Sequence, residues 1–440
     1  MDDLIGKIIS LAKRRGFVFP DSEIYGGFSA AYDFGPLGTA LKNNIKEEWR
    51  KSIVSRNPSV AEIDTPIIIH PKVWEASGHL DHFSDQLVEC KKCHHRFKEE
   101  EIKEGHCPLC GGELTSPRIF HLMMKSFVGP VEDEQSVVYL RPETCQGIFL
   151  NFKNVVQAMR MHLPMGIAQI GKAFRNEINP KNFIFRTREF EQMEMEWFCR
   201  EEEAEKWFEH WKEQRKQWYL DLGIKPENIR CQETPKEKLA HYARKAVDIE
   251  YHFPFGWQEI EGIHYRGEYD LKNHMEHSHG DLAYRNPSTQ EELVPHVVEI
   301  SAGVERTLLA FLTDAYSEVS GGRGGGSKQK EEVILRLSPR LAPFQVAVFP
   351  LLGKEDKLVK QAKDVFQKLI RSFHVSYDAN GSIGRRYRRH DEIGTPLAVT
   401  IDFQTLQDQT VTCRDRETMK QIRVPIVELS ATIAKLINQE

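Results

Sequence analysis

Reactive side chains concentrate in two stretches of the sequence. In the first, Cys90-Lys91-Lys92-Cys93 is followed after thirteen residues by Cys107-Pro108-Leu109-Cys110. Two residues between cysteines let both sulfurs of a step face one tetrahedral ion, and two steps supply four thiolates. Four sulfurs leave no open coordination position, so the pattern predicts a structural zinc, not a catalytic one. Gly111-Gly112 offers the tight turn after the second step, and His94, His95 and His106 stand close enough to replace a ligand. The gap is short for this pattern, which leaves the size of the metal-binding insert open. Cys145, Cys199, Cys231 and Cys413 are scattered singly, as in a reduced protein without a disulfide framework.

The second stretch runs from Phe174-Arg175-Asn176-Glu177, through the polar turn Ile178-Asn179-Pro180-Lys181-Asn182-Phe183, to Phe185-Arg186-Thr187-Arg188-Glu189-Phe190. Guanidinium forks hold phosphates, and a flat ring packs against a base. The chain has neither a Walker-type loop nor a dinucleotide fingerprint, so any phosphate must be held by arginine side chains. Taken alone, an Arg/Glu-rich hairpin is more often just a charged, solvated surface. Arg141-Pro142-Glu143-Thr144-Cys145-Gln146-Gly147 and Glu299-Ile300-Ser301-Ala302-Gly303-Val304-Glu305-Arg306 add two further polar segments punctuated by glycine.

The elements around these residues predict an α+β protein. Leu41, Ile45, Trp49 and Ile53 repeat at helical spacing within a helix expected over 37–54. Strands are expected over 61–69, 137–140, 167–170 and 193–198, and a helix over 204–222. In the run from Phe190 to Glu196, alternation puts Gln192, Glu194 and Glu196 on the face of Phe190. Ser320 to Lys328 is a glycine-rich linker. Beyond it, strands at 345–349, 374–378, 397–402 and 410–414, an amphipathic helix at 355–373 and a last helix from Leu429 to Ile437 make a small α/β domain. His274, His277 and His279 read as polar loop residues, since no acid or cysteine nearby completes a metal site.

The 440 residues suit two or three domains, and 40% hydrophobic with 28% charged residues suits a globular chain. No apolar run reaches the ~18 residues of a membrane helix, and the acidic start Met1-Asp2-Asp3 does not resemble a secretory signal. A cytoplasmic protein that does not engage the membrane is expected. Net charge is −5, yet residues 333–440 carry 17 Lys+Arg against 12 Asp+Glu, which leaves −10 for 1–332. That asymmetry fits a polyanion contact confined to part of the surface.

Together these segments make the chain resemble class II glycyl-tRNA synthetases of the bacterial, homodimeric type, nearly end to end. The likeness begins at Gly16-Phe17-Val18-Phe19-Pro20 and Tyr32-Asp33-Phe34-Gly35-Pro36-Leu37-Gly38. Motif 1 matches Asp64-Thr65-Pro66 through Trp74-Glu75-Ala76-Ser77-Gly78-His79 and implies a dimer interface. Motif 2 is the arginine hairpin, and motif 3 is Gly303-Val304-Glu305-Arg306. Gly384-Arg385-Arg386-Tyr387-Arg388-Arg389-His390-Asp391-Glu392-Ile393-Gly394 resembles the anticodon-binding domain of the family. Ile300 stands where the family often has proline.

The resemblance implies an antiparallel catalytic domain over 1–320, with a zinc-ribbon-like insertion at 88–114 and a mixed insertion at 200–260. A linker at 321–332 then leads to an anticodon-binding domain at 333–440. It implies ATP with Mg²⁺ and glycine as small substrates, and tRNA bound through its acceptor end and anticodon. Arg175 is expected to bridge the α-phosphate and the glycine carboxylate. Phe190 and Arg306 are expected to sandwich the adenine, Arg186 or Arg188 to hold the γ-phosphate, and Glu177 to meet the adenine side. Asn176, Phe185, Glu259, Ile260 and Gly303 complete the implied ATP site, with Glu259 and Glu299 in the magnesium shell. Glu143, Gln192, Glu194, Arg266, Glu299 and Ser301 are the implied glycine pocket, with Arg96 as a further contact. Catalysis then rests on Arg175 and Arg306 positioning and stabilising an in-line attack of carboxylate on phosphorus. Two alternatives stand beside this reading: a class II synthetase for another small amino acid, and a non-catalytic, synthetase-like subunit that binds nucleic acid.

Overall fold

The computed structural model describes residues 3–102, 105–178, 182–321, 323 and 331–438. Most of the expected glycine linker, and Asn179-Pro180-Lys181 of the hairpin turn, lie outside the described residues.

A seven-stranded sheet carries the larger part of the chain. Its strands are β1 (Val60–Glu62), β2 (Met165–Phe174), β3 (Glu189–Cys199), β4 (Ile229–Glu233), β5 (Lys245–Phe253), β6 (Gly256–Gly267) and β7 (His296–Gly303). They lie in the order β4-β5-β6-β7-β3-β2-β1. Every pairing is antiparallel except β1 with β2. The stretch 200–260, expected as an insertion, contributes two whole strands and part of a third to this sheet. The strand expected over 61–69 ends at Glu62, because Pro66 has no N–H for a ladder; only an isolated bridge joins Ile68 to Leu140.

Helices cover the sheet. Helix α1 (Leu4–Arg15) stops at Gly16, whose φ of 74° suits glycine and whose N–H closes the helix end. Helix α2 (Pro36–Arg50) starts with proline in its first turn. It buries Leu41, Ile45 and Trp49 completely, each worth about 1.5–3 kcal/mol of apolar burial. Gly38 is required there, since a Cβ would lie 1.9 Å from the Phe17 carbonyl oxygen. Helices α3 (Cys145–Met159), α4 (Glu201–Asp221), α5 (Tyr269–Ser278) and α6 (Val304–Ala315) complete the layer. Helix α4 lays Phe208, Trp211, Trp218 and Tyr219 onto the sheet. Ser84–Glu89, Arg96–Lys98 and Arg118–His121 form a separate three-stranded sheet beside the cysteines.

The C-terminal part has its own core. Strands β8 (Val346–Pro350), β9 (Val375–Tyr377), β10 (Leu397–Ile401), β11 (Thr410–Asp415) and β12 (Gln421–Pro425) lie in the order β9-β8-β10-β11-β12. Helices α7 (Asp356–Leu369), α8 (Ile383–Glu392) and α9 (Leu429–Asn438) accompany them. The arginine-rich segment at 384–394, for which no element was expected, is mostly helix α8. The boundary expected at 333 falls inside a hairpin of Glu331–Leu335 with Tyr316–Ser320. Leu335, Leu337 and Leu341 pack into the main core, and the second core starts at Val346.

Arg215 on α4 is a charged residue where the pattern calls for an apolar one. Its Nε donates to Glu261 Oε1 at 2.6 Å, both side chains are buried, and the guanidinium lies 4.4 Å from the Trp218 ring centroid. Removing one partner strands the other charge in the core. Arg215→Ala is therefore expected to lower unfolding stability by about 3–5 kcal/mol, read from urea midpoints beside the parent protein.

Candidate active site

One face of the sheet forms a cleft of about 230 Å³. The strand register builds it in rows. Across β3 and β7, Gln192 faces Gly303, Glu194 faces Ser301 and Glu196 faces Glu299. Across β6 and β7, Gly262 faces Ser301 and His264 faces Glu299. Alternation sends Val298, Ile300 and Ala302 into the opposite core. Ile300, the departure from the family pattern, is therefore turned away from the cleft and leaves Glu299 and Ser301 in place. On β6 simple alternation fails. A register shift lets Ile260 and Glu261 both face the core, so Glu259 and His264 reach the cleft together.

The outer end of the cleft is cationic and aromatic. Arg175 donates from Nε to the Pro142 carbonyl at 3.0 Å. Its guanidinium lies 5.4 Å from the ring centroids of both Phe83 and Phe190. Arg306 donates to Glu259 Oε2 at 3.0 Å and lies 4.6 Å from the Phe185 centroid. Arg186 and Glu177 line the same space, 3.9 Å apart. Arg188 does not: its side chain donates to the Ser29 carbonyl and lies 5.5 Å from the Phe28 centroid. Of the two arginines left open by sequence, Arg186 is the one that faces the cleft. Asn176 and Ile260 are not part of the lining; the Ile260 side chain belongs to the main core.

The inner end is a buried set of carboxylates. Arg266 makes a bidentate pair with Asp270 at 2.7 and 2.8 Å and also donates to Glu299. Burial alone pushes Glu299 up, but Arg266 and then His264 bring it down to about 2. Glu143 is likewise pushed up by burial yet held well below the ordinary range, chiefly by His79, whose Nε2 lies 3.3 Å away. Among the described residues no cation is paired with Glu194. Burial, and then the charges of Glu299 and Glu143, raise it to about 7, although Thr144 donates to it from both N–H and hydroxyl. Glu196 lies behind Glu194, fully buried and raised well above the ordinary carboxylate range by burial and then by Glu299.

Arg141 is an anchor, not a contact. It is buried and donates to the carbonyls of Lys172, Thr65 and Pro66. A Cβ on Gly171 would lie 2.1 Å from its guanidinium. Arg141 thus fixes the turn that presents Pro142 to Arg175 and Glu143 to the cleft. Behind motif 3, Glu305 accepts from Lys42 at 2.7 Å and from the Glu191 N–H at 2.9 Å.

The structure brings Glu143, Arg175, Glu177, Phe185, Arg186, Phe190, Gln192, Glu194, Glu259, Glu299, Ser301, Gly303 and Arg306 to one cleft. It leaves Arg96 outside, on the sheet beside the cysteines and paired with Glu89 at 2.9 Å. His274 and His277 stand on helix α5, not in a loop. His274 is buried and donates from Nε2 to Gln146 Oε1 at 2.8 Å. Sequence reasoning missed His264 and Tyr242, whose ring lies 3.9 Å from the Arg266 guanidinium carbon. Neither has a local spacing that marks it. His79 was placed by motif 1 and turned out to serve Glu143.

The four cysteines cluster with their sulfurs within 4.8 Å of one another, all as free thiols. Cys90 and Cys110 are 3.5 Å apart and Cys93 and Cys107 3.6 Å, close to the ~3.8 Å edge of a tetrahedron with 2.3 Å zinc–sulfur bonds. The cluster can hold a metal ion.

An antiparallel sheet with an arginine hairpin, a glycine-led helix α6 and a separate C-terminal α/β unit defines a class II aminoacyl-tRNA synthetase. Residues 130–315 match the tRNA synthetase class II core domain (G, H, P, S and T), and residues 345–436 match the anticodon binding domain. A solved prolyl-tRNA synthetase from Cryptosporidium parvum shares the fold, with a TM-score of 0.68 at 16% identity over 99% of this chain and 78% of that one. A glycine–tRNA ligase from Thermobifida fusca is 49% identical, covering 97% of both chains. One from Bifidobacterium longum is 50% identical over 99% of this chain and 93% of its own. The chain belongs to the glycine–tRNA ligase family.

Glu194 makes the empty cleft sensitive to pH. With its folded value raised to about 7, the unfolded chain loses this proton first as pH rises, so the stability it contributes is full in acid and is lost between the ordinary carboxylate range and about 7. Glu194→Gln removes that loss. Without substrates, the variant is expected to gain stability relative to the parent between pH 5 and 8, on the order of a few kcal/mol, by urea denaturation at each pH.

Proposed function

We propose that the cleft joins glycine to ATP and passes the resulting glycyl group to the 3′ end of tRNA, with glycine selected by the carboxylates at the inner end. Its family makes the chain an ATP-dependent ligase whose substrates are glycine and tRNA, and class II enzymes use ATP with Mg²⁺. The observation that carries the residue assignment is the inner row, where Glu194 stands opposite Ser301 with Glu143 beside it. A substrate without a side chain offers only its ammonium and carboxylate to grip. Glu143 and Glu194 take the ammonium, Ser301 and Gln192 close the space at Cα, and Arg266 holds Glu299 in position. Excluding a methyl sterically is stronger than the ~1–3 kcal/mol that affinity for it offers.

Arg175 then stands at the junction of glycine carboxylate and α-phosphate. Phe190 and Arg306 take the two faces of the adenine, Arg186 the γ-phosphate, and Glu177 and Phe185 the adenine surroundings. Glu259 and Glu299 face the same space and would hold Mg²⁺ with the phosphates, supplying charge where the phosphoryl oxygens become more negative. The chemistry needs no protein nucleophile.

We assign zinc to the four cysteines in a structural role, the main core with the hairpin at Glu331–Leu335 to catalysis, and residues 345–436, which match the anticodon binding domain, to the anticodon. Motif 1 supports a homodimer, and the free thiols suit the cytoplasm. Among the described residues no helix is long and apolar enough to cross a membrane.

Pyrophosphate exchange tests the assignment. Glycine should support exchange, and alanine and serine should not; no glycine-dependent exchange sinks the reading, and equal exchange with alanine moves it to another small amino acid. Arg175→Ala should lower kcat/KM by about 10²–10³, the scale of losing one preorganised donor, without loss of helix content. Since the ammonium needs ionised Glu194, the KM for glycine should rise about tenfold per pH unit below 7.

A further inference from the structure

We propose that Cys145, Glu194 and Glu196 form a binding site for a thiophilic divalent cation of the zinc class, beneath the inner end of the cleft, and that filling it excludes glycine. One ligand atom from each of the three lies within 4.8 Å of the others, and all three side chains are buried. The positions are fixed by rigid elements: Glu194 and Glu196 share one face of β3, and Cys145 is the first residue of α3.

Glu196 is the observation that points to a ligand. Its side chain is fully buried, and among the described residues neither carboxyl oxygen has a hydrogen-bond partner. Buried polar groups are almost always partnered, because an unmet one loses its hydration for nothing. A cation between Glu196 and its two neighbours satisfies it. No protein donor does so now: Thr144 donates to Glu194, and Cys145 donates its proton to Glu143 Oε1 at 2.8 Å. The surroundings favour positive charge, with Glu143, Glu299 and Asp270 adding to the pair while Arg266 is already committed to Asp270 and Glu299.

The donor set decides the class of ion. One sulfur with two carboxylates suits zinc or cadmium, whereas Mg²⁺ and Ca²⁺ take oxygen donors. Binding breaks the Cys145 S–H bond and displaces the protons that Glu196 and Glu194 carry, forms one metal–sulfur and two metal–oxygen bonds, and releases those protons to water with no electron transferred. The ion then holds Glu194, which is why occupancy and glycine compete. That competition rests on the assignment of Glu194 to the ammonium, and metal binding does not.

The test counts metal per chain by dialysis of the full protein against zinc, with its four-cysteine cluster already filled, and records the cadmium–thiolate absorption band. The parent should hold one equivalent beyond the cluster. Cys145→Ser should lose that equivalent and its share of the band, and Glu196→Gln should weaken it at least tenfold. Glu196→Gln is close in shape, so it decides the matter if the serine variant does not fold, as checked by circular dichroism. In pyrophosphate exchange, zinc at ten times its dissociation constant should raise the apparent KM for glycine about tenfold with kcat unchanged. No extra equivalent, or one that both variants keep, overturns the site and leaves a buried water as the partner of Glu196. An extra equivalent lost in the variants but without glycine competition upholds the site and overturns the assignment of Glu194.

Discussion

The Arg266 guanidinium closes a bidentate pair with Asp270 on α5 and reaches Glu299 on β7 from its own place on β6. Three elements are thereby tied at one buried cation. Carboxylates cannot be gathered in an apolar interior unless something balances them. Glu143, Glu194, Glu196, Glu299 and Asp270 are all there. Arg266 settles two of them and His79 a third. What is left, around Glu194, is a deficit of positive charge. The inner end thus gathers two carboxylates, Glu194 and Glu196, that no cation of the described residues balances.

The rest of the cleft is a consequence of sheet register. Because Glu194 faces Ser301 and Glu196 faces Glu299, a slip of one residue on β3 would carry the whole acidic row into the core beside Ile300 and exchange it for Met193 and Met195. The register is pinned from outside the cleft. Arg141 locks β2 against the turn at Thr65 and Pro66, Gly171 makes room for it, and Glu305 clamps the Glu191 N–H. None of these groups meets a substrate, yet each fixes where one lands.

The helices expected over 37–54 and 204–222, the strands at 167–170 and 193–198 and the cysteine steps were legible because periodicity and spacing report them directly, whereas the strands Lys245–Phe253, Gly256–Gly267 and His296–Gly303 were not expected. The Phe190–Glu196 alternation also held, and with it the shared face of Gln192 and Glu194. What sequence could not give was any arrangement set by a break in a rule. The shift on β6 that brings Glu259 and His264 to one side has no mark in the residues from Gly256 to Gly267. Tyr242 enters from a loop, which has no period at all. Arg188 looked equivalent to Arg186 in the hairpin, and only the position of Phe28 and Ser29 separates them. Motif spacing singled out many of the residues that line the cleft; pairing partners far along the chain decided which way each one points.

The basic excess of the C-terminal part changes meaning once its partners are known. Arg386 donates to the carbonyls of Pro350, Leu351 and Asp378, Arg414 makes a bidentate pair with Asp391, and Arg416 donates to Leu337 and Gly394. Arg14 and Arg15 of α1 reach Glu392 at the end of α8, and Arg340 reaches Glu48 on α2. Much of the arginine in this region therefore holds backbone and joins the two parts of the protein, so net charge overstates the surface free to meet a polyanion. Helix α8 is at once the arginine-rich helix of the C-terminal unit and, through Glu392, the partner of α1. From there α1 leads into Gly16 and the close Phe17–Gly38 approach that seats α2, and α2 carries the Lys42 that holds Glu305 behind motif 3. A continuous set of ion pairs and close backbone contacts thus runs from the basic helix to the back of the cleft.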